Sequence, residues 1–325
     1  MPRPSESEAL LREAVALLEA DQVSEALPLL DRVLGLDPKS DHALWCKGCA
    51  LSALGRDAEA AAAYLQLSKI APGRALVWYN LGNCLQRLGK VEQAVECFNL
   101  ATQIDPDFAD AWTNRGRLLD DAGKHAEAIE CYDRALKLAP DDVVTLGNRG
   151  NSLKALGKHK EALTSYKKAL KLAPDDFAAL AGSADCLYAL DKPTEGLRAV
   201  DRALKVNPQW GAAWCNRGLM LATLGKDKEA LASLEKAAEL VPDAPEVWNN
   251  LGEVLARLGR PADALKRFDR AIALAADYAP AWFGKARVLL TDGKKKDGRA
   301  AAKRFLELAD PSDPKAKSMR KLVGD

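Results

Sequence analysis

Between Ala75 and Phe108 the apolar residues fall into two stripes at helical spacing. The first holds Trp78, Leu81, Gly82 and Leu85. Gly89 interrupts the chain, and the second stripe holds Ala94, Phe98 and Ala101 before Pro106 ends it. Two amphipathic helices are predicted. Neither can bury its stripe alone, and the pair still leaves one side bare. Neighbours of the same kind supply the cover. Pro106 is followed by Pro140, Pro174, Pro208 and Pro242 and preceded by Pro72 and Pro38, each step being 34 residues (140 − 106 = 34).

Aligned on these prolines, the copies start at residues 7, 41, 75, 109, 143, 177, 211, 245 and 279. The fourth position is always large and apolar: Leu10, Leu44, Trp78, Trp112, Leu146, Leu180, Trp214, Trp248 and Trp282. The eighth is always Gly or Ala, from Ala14 and Gly48 to Gly252 and Ala286. So is the twentieth, from Ala26 and Ala60 to Ala264 and Gly298. One small residue at a fixed point of each helix lets the two backbones approach and interlock.

This spacing resembles the tetratricopeptide repeat, a helix–turn–helix unit of the same period. The resemblance runs over nearly the whole chain. It implies an all-α fold, a right-handed α-solenoid superhelix of about nine hairpins closed by a C-terminal capping helix. Residues 1–6 are then a tail, 7–312 the solenoid, and 313–325 the capping helix and its end. A solenoid core is a continuous ribbon without a domain division, so the length of 325 residues does not by itself predict two domains.

Departures from the pattern are informative. Pro28 falls inside the second helix of copy one, where it should cost several kcal/mol or kink the helix. Gly55, Gly89, Gly123 and Gly157 occupy the turns of copies two to five, suited to a left-handed helix cap. Copy six replaces that glycine with Asp191, carries Gly196 for Ala and puts Val200 in place of an aromatic ring, which predicts a softer joint. In copy nine the large residue moves one turn along, to Phe305. Ala316, Met319, Leu322 and Val323 then form the apolar side of a sealing helix.

Charge changes the picture little. The net charge of +1 implies neither nucleic acid nor an anionic membrane as partner. No basic-then-apolar leader and no run of about 18 apolar residues is seen, so a soluble, cytoplasmic protein is expected. The ends differ, however. Residues 1–40 hold eight acidic and four basic residues, whereas residues 279–325 hold twelve basic and six acidic ones. The seven cysteines form no disulfide framework, and Cys46 and Cys49 sit mid-helix with no second pair.

No catalytic, metal or cofactor constellation emerges. The three histidines are His42 and the pair His125 and His159, one period apart, without acid–base or metal-ligand spacing. An enzyme is not expected. The family resemblance instead implies that positions two, five, six, nine and thirteen of each copy face the concave side. The sixth gives Asn80, Asn114, Asn148, Asn216 and Asn250, and the ninth adds Asn83, Asn151 and Arg117. Trp45 and Tyr79 occupy the fifth.

An Asn side chain offers both a donor and an acceptor. The row resembles the asparagine ladder of the O-linked N-acetylglucosamine transferases, which implies contact with a peptide backbone. A second role, tying adjacent helices together, stays open. No fifth position is Lys, so the carboxylate clamp of the chaperone-binding members is not expected. The predicted function is a scaffold or adaptor holding a protein or peptide segment in the concave groove. Alternatives are head-to-tail self-association of the acidic and basic ends, or a non-catalytic subunit of a separately encoded enzyme.

Overall fold

The structure, a computed structural model, describes residues 5–323. These residues form nineteen α-helices and no strand. The chain divides into two compact units, Met1–Leu156 and Gly157–Asp325. The first contains α1 (Glu6–Glu19), α2 (Val23–Leu36), α3 (Asp41–Ala53), α4 (Asp57–Ile70), α5 (Ala75–Arg87), α6 (Val91–Ile104), α7 (Ala109–Asp121), α8 (His125–Leu138) and α9 (Val143–Ala155). The second contains α10 (His159–Leu172), α11 (Phe177–Ala189), α12 (Pro193–Val206), α13 (Gly211–Thr223), α14 (Asp227–Leu240), α15 (Pro245–Arg257), α16 (Pro261–Leu274), α17 (Ala279–Thr291), α18 (Lys295–Leu308) and α19 (Pro314–Val323). Within each unit every helix packs on the next in chain order. The division falls at the turn of copy five.

From α3 to α17 each first helix begins at the residue the periodicity assigns to the start of its copy. The N-terminus differs. Ser5 and Glu6 belong to α1 and not to a tail, because Ser5 closes a capping box: its hydroxyl accepts from the Glu8 N–H, and the Glu8 carboxylate accepts from the Ser5 N–H. Residues 1–4 of the expected tail lie outside the described residues, as do 324 and 325.

The eighth-position glycines make room for a ring as well as for a backbone. A Cβ added to Gly48, Gly82 or Gly116 would sit 2.6, 2.9 or 2.7 Å from the ring of Tyr64, Phe98 or Tyr132, at position twenty-four of the same copy. Gly252 stands in the same relation to Phe268, at 2.6 Å. Those rings are fully buried. Where position twenty-four is Leu30, Val200 or Ala302, position eight is Ala14, Ala184 or Ala286; copy seven differs, with Gly218 against Leu234.

Each hairpin turns on one residue in the left-handed region. Seven of these are glycines, from Gly55 (φ 70°) to Gly293 (φ 76°), and two are Asp21 (φ 59°) and Asp191 (φ 55°). The fourth-position tryptophans are only half-buried, because each indole N–H reaches out of the core to latch the preceding loop. Trp78 donates to the Pro72 carbonyl at 2.8 Å and Trp112 to Pro106 at 2.9 Å, and Trp214, Trp248 and Trp282 repeat the bond. A second recurring tie joins a cation at position seven to the Asp at position twenty-five of the preceding copy. Lys47–Asp31, Arg149–Asp133, Arg217–Asp201 and Lys285–Asp269 all lie at 2.6–2.7 Å.

The irregular copies are accommodated locally. α2 continues through Pro28, whose ring lies on the exposed side. In copy six the volume missing at Val200 and Gly196 is supplied from α13. Met220 is fully buried beside Ala184 and Val200, and its sulfur would lie 3.0 Å from a Cβ on Gly196. The positions left small in that copy are thus filled by its neighbour. Phe305 is buried against Phe283, with ring centroids 5.1 Å apart. In α19, Ala316 and Met319 seal the end, but Leu322 is 56% exposed, one turn past the contact with α18. No helix among the described residues is long and apolar enough to cross a membrane.

Candidate functional site

The asparagine row lies on the first helices, and Asn80, Asn114, Asn216 and Asn250 find partners in the preceding copy. In the first unit, Asn80 donates to the Tyr64 hydroxyl at 3.4 Å, and that hydroxyl in turn donates to the Cys49 sulfur at 3.3 Å. Asn114 donates to the Tyr79 hydroxyl at 3.3 Å and to the Asn83 side-chain oxygen at 3.0 Å. In the second unit, Asn216 donates to Asp185 at 2.6 Å. Asn250 lies 3.5 Å from the Cys215 sulfur and accepts from Asn249. The sixth position thus reaches the fifth, ninth or twenty-fourth of the copy before it.

In copies six and nine that position is Gly182 and Gly284, packed against the rings of Tyr166 and Phe268. The second unit therefore holds only Asn216 and Asn250 of the row.

Tyr79 is anchored rather than free, tilted against Phe98 and Phe108 with centroids 5.8 and 4.7 Å away. Trp45 is half-buried, edge-on to Tyr64, and the Arg74 guanidinium covers its face at 4.4 Å. The expectation that Trp45 points into the groove instead of the core is thus corrected in part, since its ring joins the packing around Tyr64. Arg117 and Asn148 are half-buried and Asn151 is exposed.

Other residues at the positions assigned to this face, or next to them, complete it. Leu76 and Val144, both at position two, are 39% and 64% exposed. The Thr113 and Thr145 hydroxyls meet at 2.7 Å, with Thr145 held in turn by Asp142. At position thirteen, Arg87 and Arg257 pair with Asp57 and Asp227 at 2.6 Å. A hollow of about 660 Å³ in the second unit is lined by Glu253, Arg257, Arg287, Val288, Thr291 and Asp292 among others. Its cations are already matched, because Arg287 holds Glu253 and Arg257 holds Asp227. The periodicity signalled positions, but long-range partners 30 to 35 residues away needed the fold.

Burial pushes the Cys46 thiol up, reinforced by the neighbouring Cys49, and pushes Cys97 up to about 11. Both thiols stay protonated near neutrality, and a thiolate nucleophile or metal ligand is disfavoured there. Among the described residues no group of His, Cys, Asp and Glu could hold a metal ion.

Stacked helical hairpins of constant period, with side chains tied copy to copy, define an α-solenoid repeat protein. The tetratricopeptide repeat matches residues 11–75, 75–108, 107–175, 153–215 and 249–314, and a further TPR repeat matches 218–259. The chain belongs to the tetratricopeptide-repeat family and has the architecture of a protein-interaction scaffold.

No curated protein matches it. Among solved structures it is similar to YrrB, described as a TPR protein with an unusual peptide-binding site. The identity is 26% and the TM-score 0.50, over 57% of this chain and 96% of that one. A tetratricopeptide repeat protein from Parabacteroides merdae is 18% identical at a TM-score of 0.61, over 77% and 99% of the two chains. A chain of the APC/C hetero-tetramer Cut9–Hcn1 is 20% identical at 0.57, over 87% of this chain and only 56% of its own length. The last two share the fold alone.

Proposed function

We propose that the first-helix face binds an extended segment of a partner protein, with the asparagine side chains as its backbone contacts. The observation that carries this reading is how the amides are held. Asn80, Asn114 and Asn216 spend side-chain N–H groups on the preceding copy. Each amide plane is thereby fixed, and in this reading its carbonyl oxygen is the group that accepts a backbone N–H of the bound segment. For Asn216 the amide nitrogen is the atom that faces the Asp185 carboxyl oxygen, at 2.6 Å. Tying helices together and contacting a ligand are then one arrangement, since a preorganised acceptor loses little entropy on binding. Leu76 and Val144 add apolar contacts between the polar ones. The likeness to YrrB, described as having an unusual peptide-binding site, supports the same reading.

A displayed library of random peptides, panned on the full chain, tests it. Binders should lose about tenfold in affinity in Asn114→Ala and Asn148→Ala. Asn114→Ala should also cost about 1 kcal/mol of stability, because two hydrogen bonds go with it. Binders indifferent to both substitutions would sink the proposal.

The charge contrast between residues 1–40 and 279–325 favours a second reading, head-to-tail association. Light scattering that stays monomeric at high concentration and low salt would remove it.

A further inference from the structure

The second helices of the hairpins differ in charge, and α10 stands apart. It carries Lys160, Lys167, Lys168 and Lys171 against the single Glu161, with Lys158 at its N-cap. By contrast, α8 balances Arg134 and Lys137 against Glu127, Glu130 and Asp133, and α14 sets Lys228 and Lys236 against four acids. α18 is also basic, but Arg304 is paired with Glu307. None of the four α10 lysines forms an ion pair among the described residues.

Lys160, Leu163, Thr164 and Lys167 share one stripe of α10, at helical spacing. Together with Leu190 and Lys192 from the α11–α12 turn, they line a hollow of about 300 Å³. Lys192 touches Glu195 at 3.3 Å, an exposed pair that yields easily to a better partner.

The repeat itself indicates what is missing. Position twenty-five is an Asp in copies one, four, six and eight, each paired with a cation at position seven of the next copy. In copy five it is Lys167, and the register sets Ser183 opposite. Ser183 is 3% exposed and its hydroxyl has no hydrogen-bond partner. The tie of those four copies is thus not made in copy five, where Lys167 stands in the place of their Asp.

We propose that α10 and the α11–α12 turn dock an acidic segment of a partner protein. Its carboxylates meet Lys160, Lys167 and Lys192, and one apolar side chain sits between Leu163 and Leu190. Leu163 and Leu190 in the lining favour a polypeptide, whose apolar side chain can fill the hollow while its carboxylates meet the lysines, over a phosphate backbone held by charge alone. The surface is separate from the first-helix face, so one chain can hold two segments at once.

The test uses the full chain and a fluorescein-labelled peptide of glutamates flanking a central leucine, read by anisotropy. Binding should weaken about tenfold between about 50 and about 200 mM salt. Lys160→Glu with Lys167→Glu should abolish it, while Lys295→Glu with Lys296→Glu on α18 should leave it within about twofold. Exchanging the peptide's leucine for serine should weaken it several-fold. Circular dichroism checks the fold, and the milder Lys160→Gln with Lys167→Gln replaces the reversed pair should that unfold.

Equal loss on reversing the α18 lysines would overturn the proposal. So would tighter capture of a single-stranded RNA or a phosphatidylserine vesicle by the same α10 lysines. A dimer that dissociates on reversing Lys160 and Lys167 would also overturn it, assigning the face to the acidic first copy of a second chain.

Discussion

Copies four and six are written in the same register and reach a filled core by different means. In α7–α8, Gly116 lies under the Tyr132 ring and Gly123 makes the turn. In α11–α12, Ala184 faces the smaller Val200, Met220 enters from the next copy over Gly196, and Asp191 makes the turn. What is kept is the summed volume at three or four meeting positions, not the residue at any one of them. A repeat can lose its signature residues and stay packed, provided a neighbour supplies the missing atoms.

The comparison is broken most forcefully at Gly116. Its added Cβ would fall 2.7 Å from a buried ring, so Gly116→Leu should cost about 3 kcal/mol or more. Thermal unfolding would read this as a drop of many degrees. The sharper form is a cycle. Gly116→Ala alone is overpacked, and Tyr132→Val alone leaves a void, but the double variant recreates the Ala184–Val200 pairing. The two changes should therefore couple favourably by about 1 kcal/mol or more. Strict additivity would mean that copy six is filled for reasons other than volume.

A smaller effect is expected at the ring itself. The Tyr132 hydroxyl is buried without a hydrogen-bond partner, whereas the Tyr64 hydroxyl bonds both Cys49 and Asn80. Tyr132→Phe should therefore stabilise by about 1 kcal/mol and Tyr64→Phe should not. Copies three and eight already carry Phe98 and Phe268 at this position. A melting temperature lowered by Tyr132→Phe would reveal a hidden partner for that hydroxyl.

These contrasts mark how far the chain could be read before folding. Pro38 to Pro242 at constant spacing gave the hairpins and nearly every helix start, because period is a local property. Gly55 through Gly157 announced left-handed turns for the same reason. Met220 could not be foreseen as the filler of copy six, since a tenth-position side chain reaches there only once α13 is stacked on α12. Trp78 and its counterparts read as core, but an indole N–H must find an acceptor, and Pro72 lies close only in the folded loop. For the first-helix face, the residue types were legible in Asn80, Asn114 and Asn216. Their partners, Tyr64, Asn83 and Asp185, were not, since each bond spans a full copy interface. The α10 lysines were visible as charge, but their hollow depended on Leu190 and Lys192 arriving from a later turn.

The finest distinction between the two copies is the turn. Asp191 holds φ at 55°, a region where a side chain costs energy that glycine does not incur, although Asp tolerates it better than most residues. Asp191→Gly should therefore relieve strain in the folded chain while adding entropy to the unfolded one, and the balance is a gain of about 0.5 kcal/mol. The reverse change, Gly123→Asp, should cost a similar amount, because Gly123 sits at φ 75° in the corresponding turn with open space around it. Chemical denaturation with an unchanged slope would register both as opposite shifts in midpoint. If Asp191→Gly destabilised instead, the Asp191 carboxylate would have to be making a stabilising contact in the turn, and copy six would owe its conformation there to that contact.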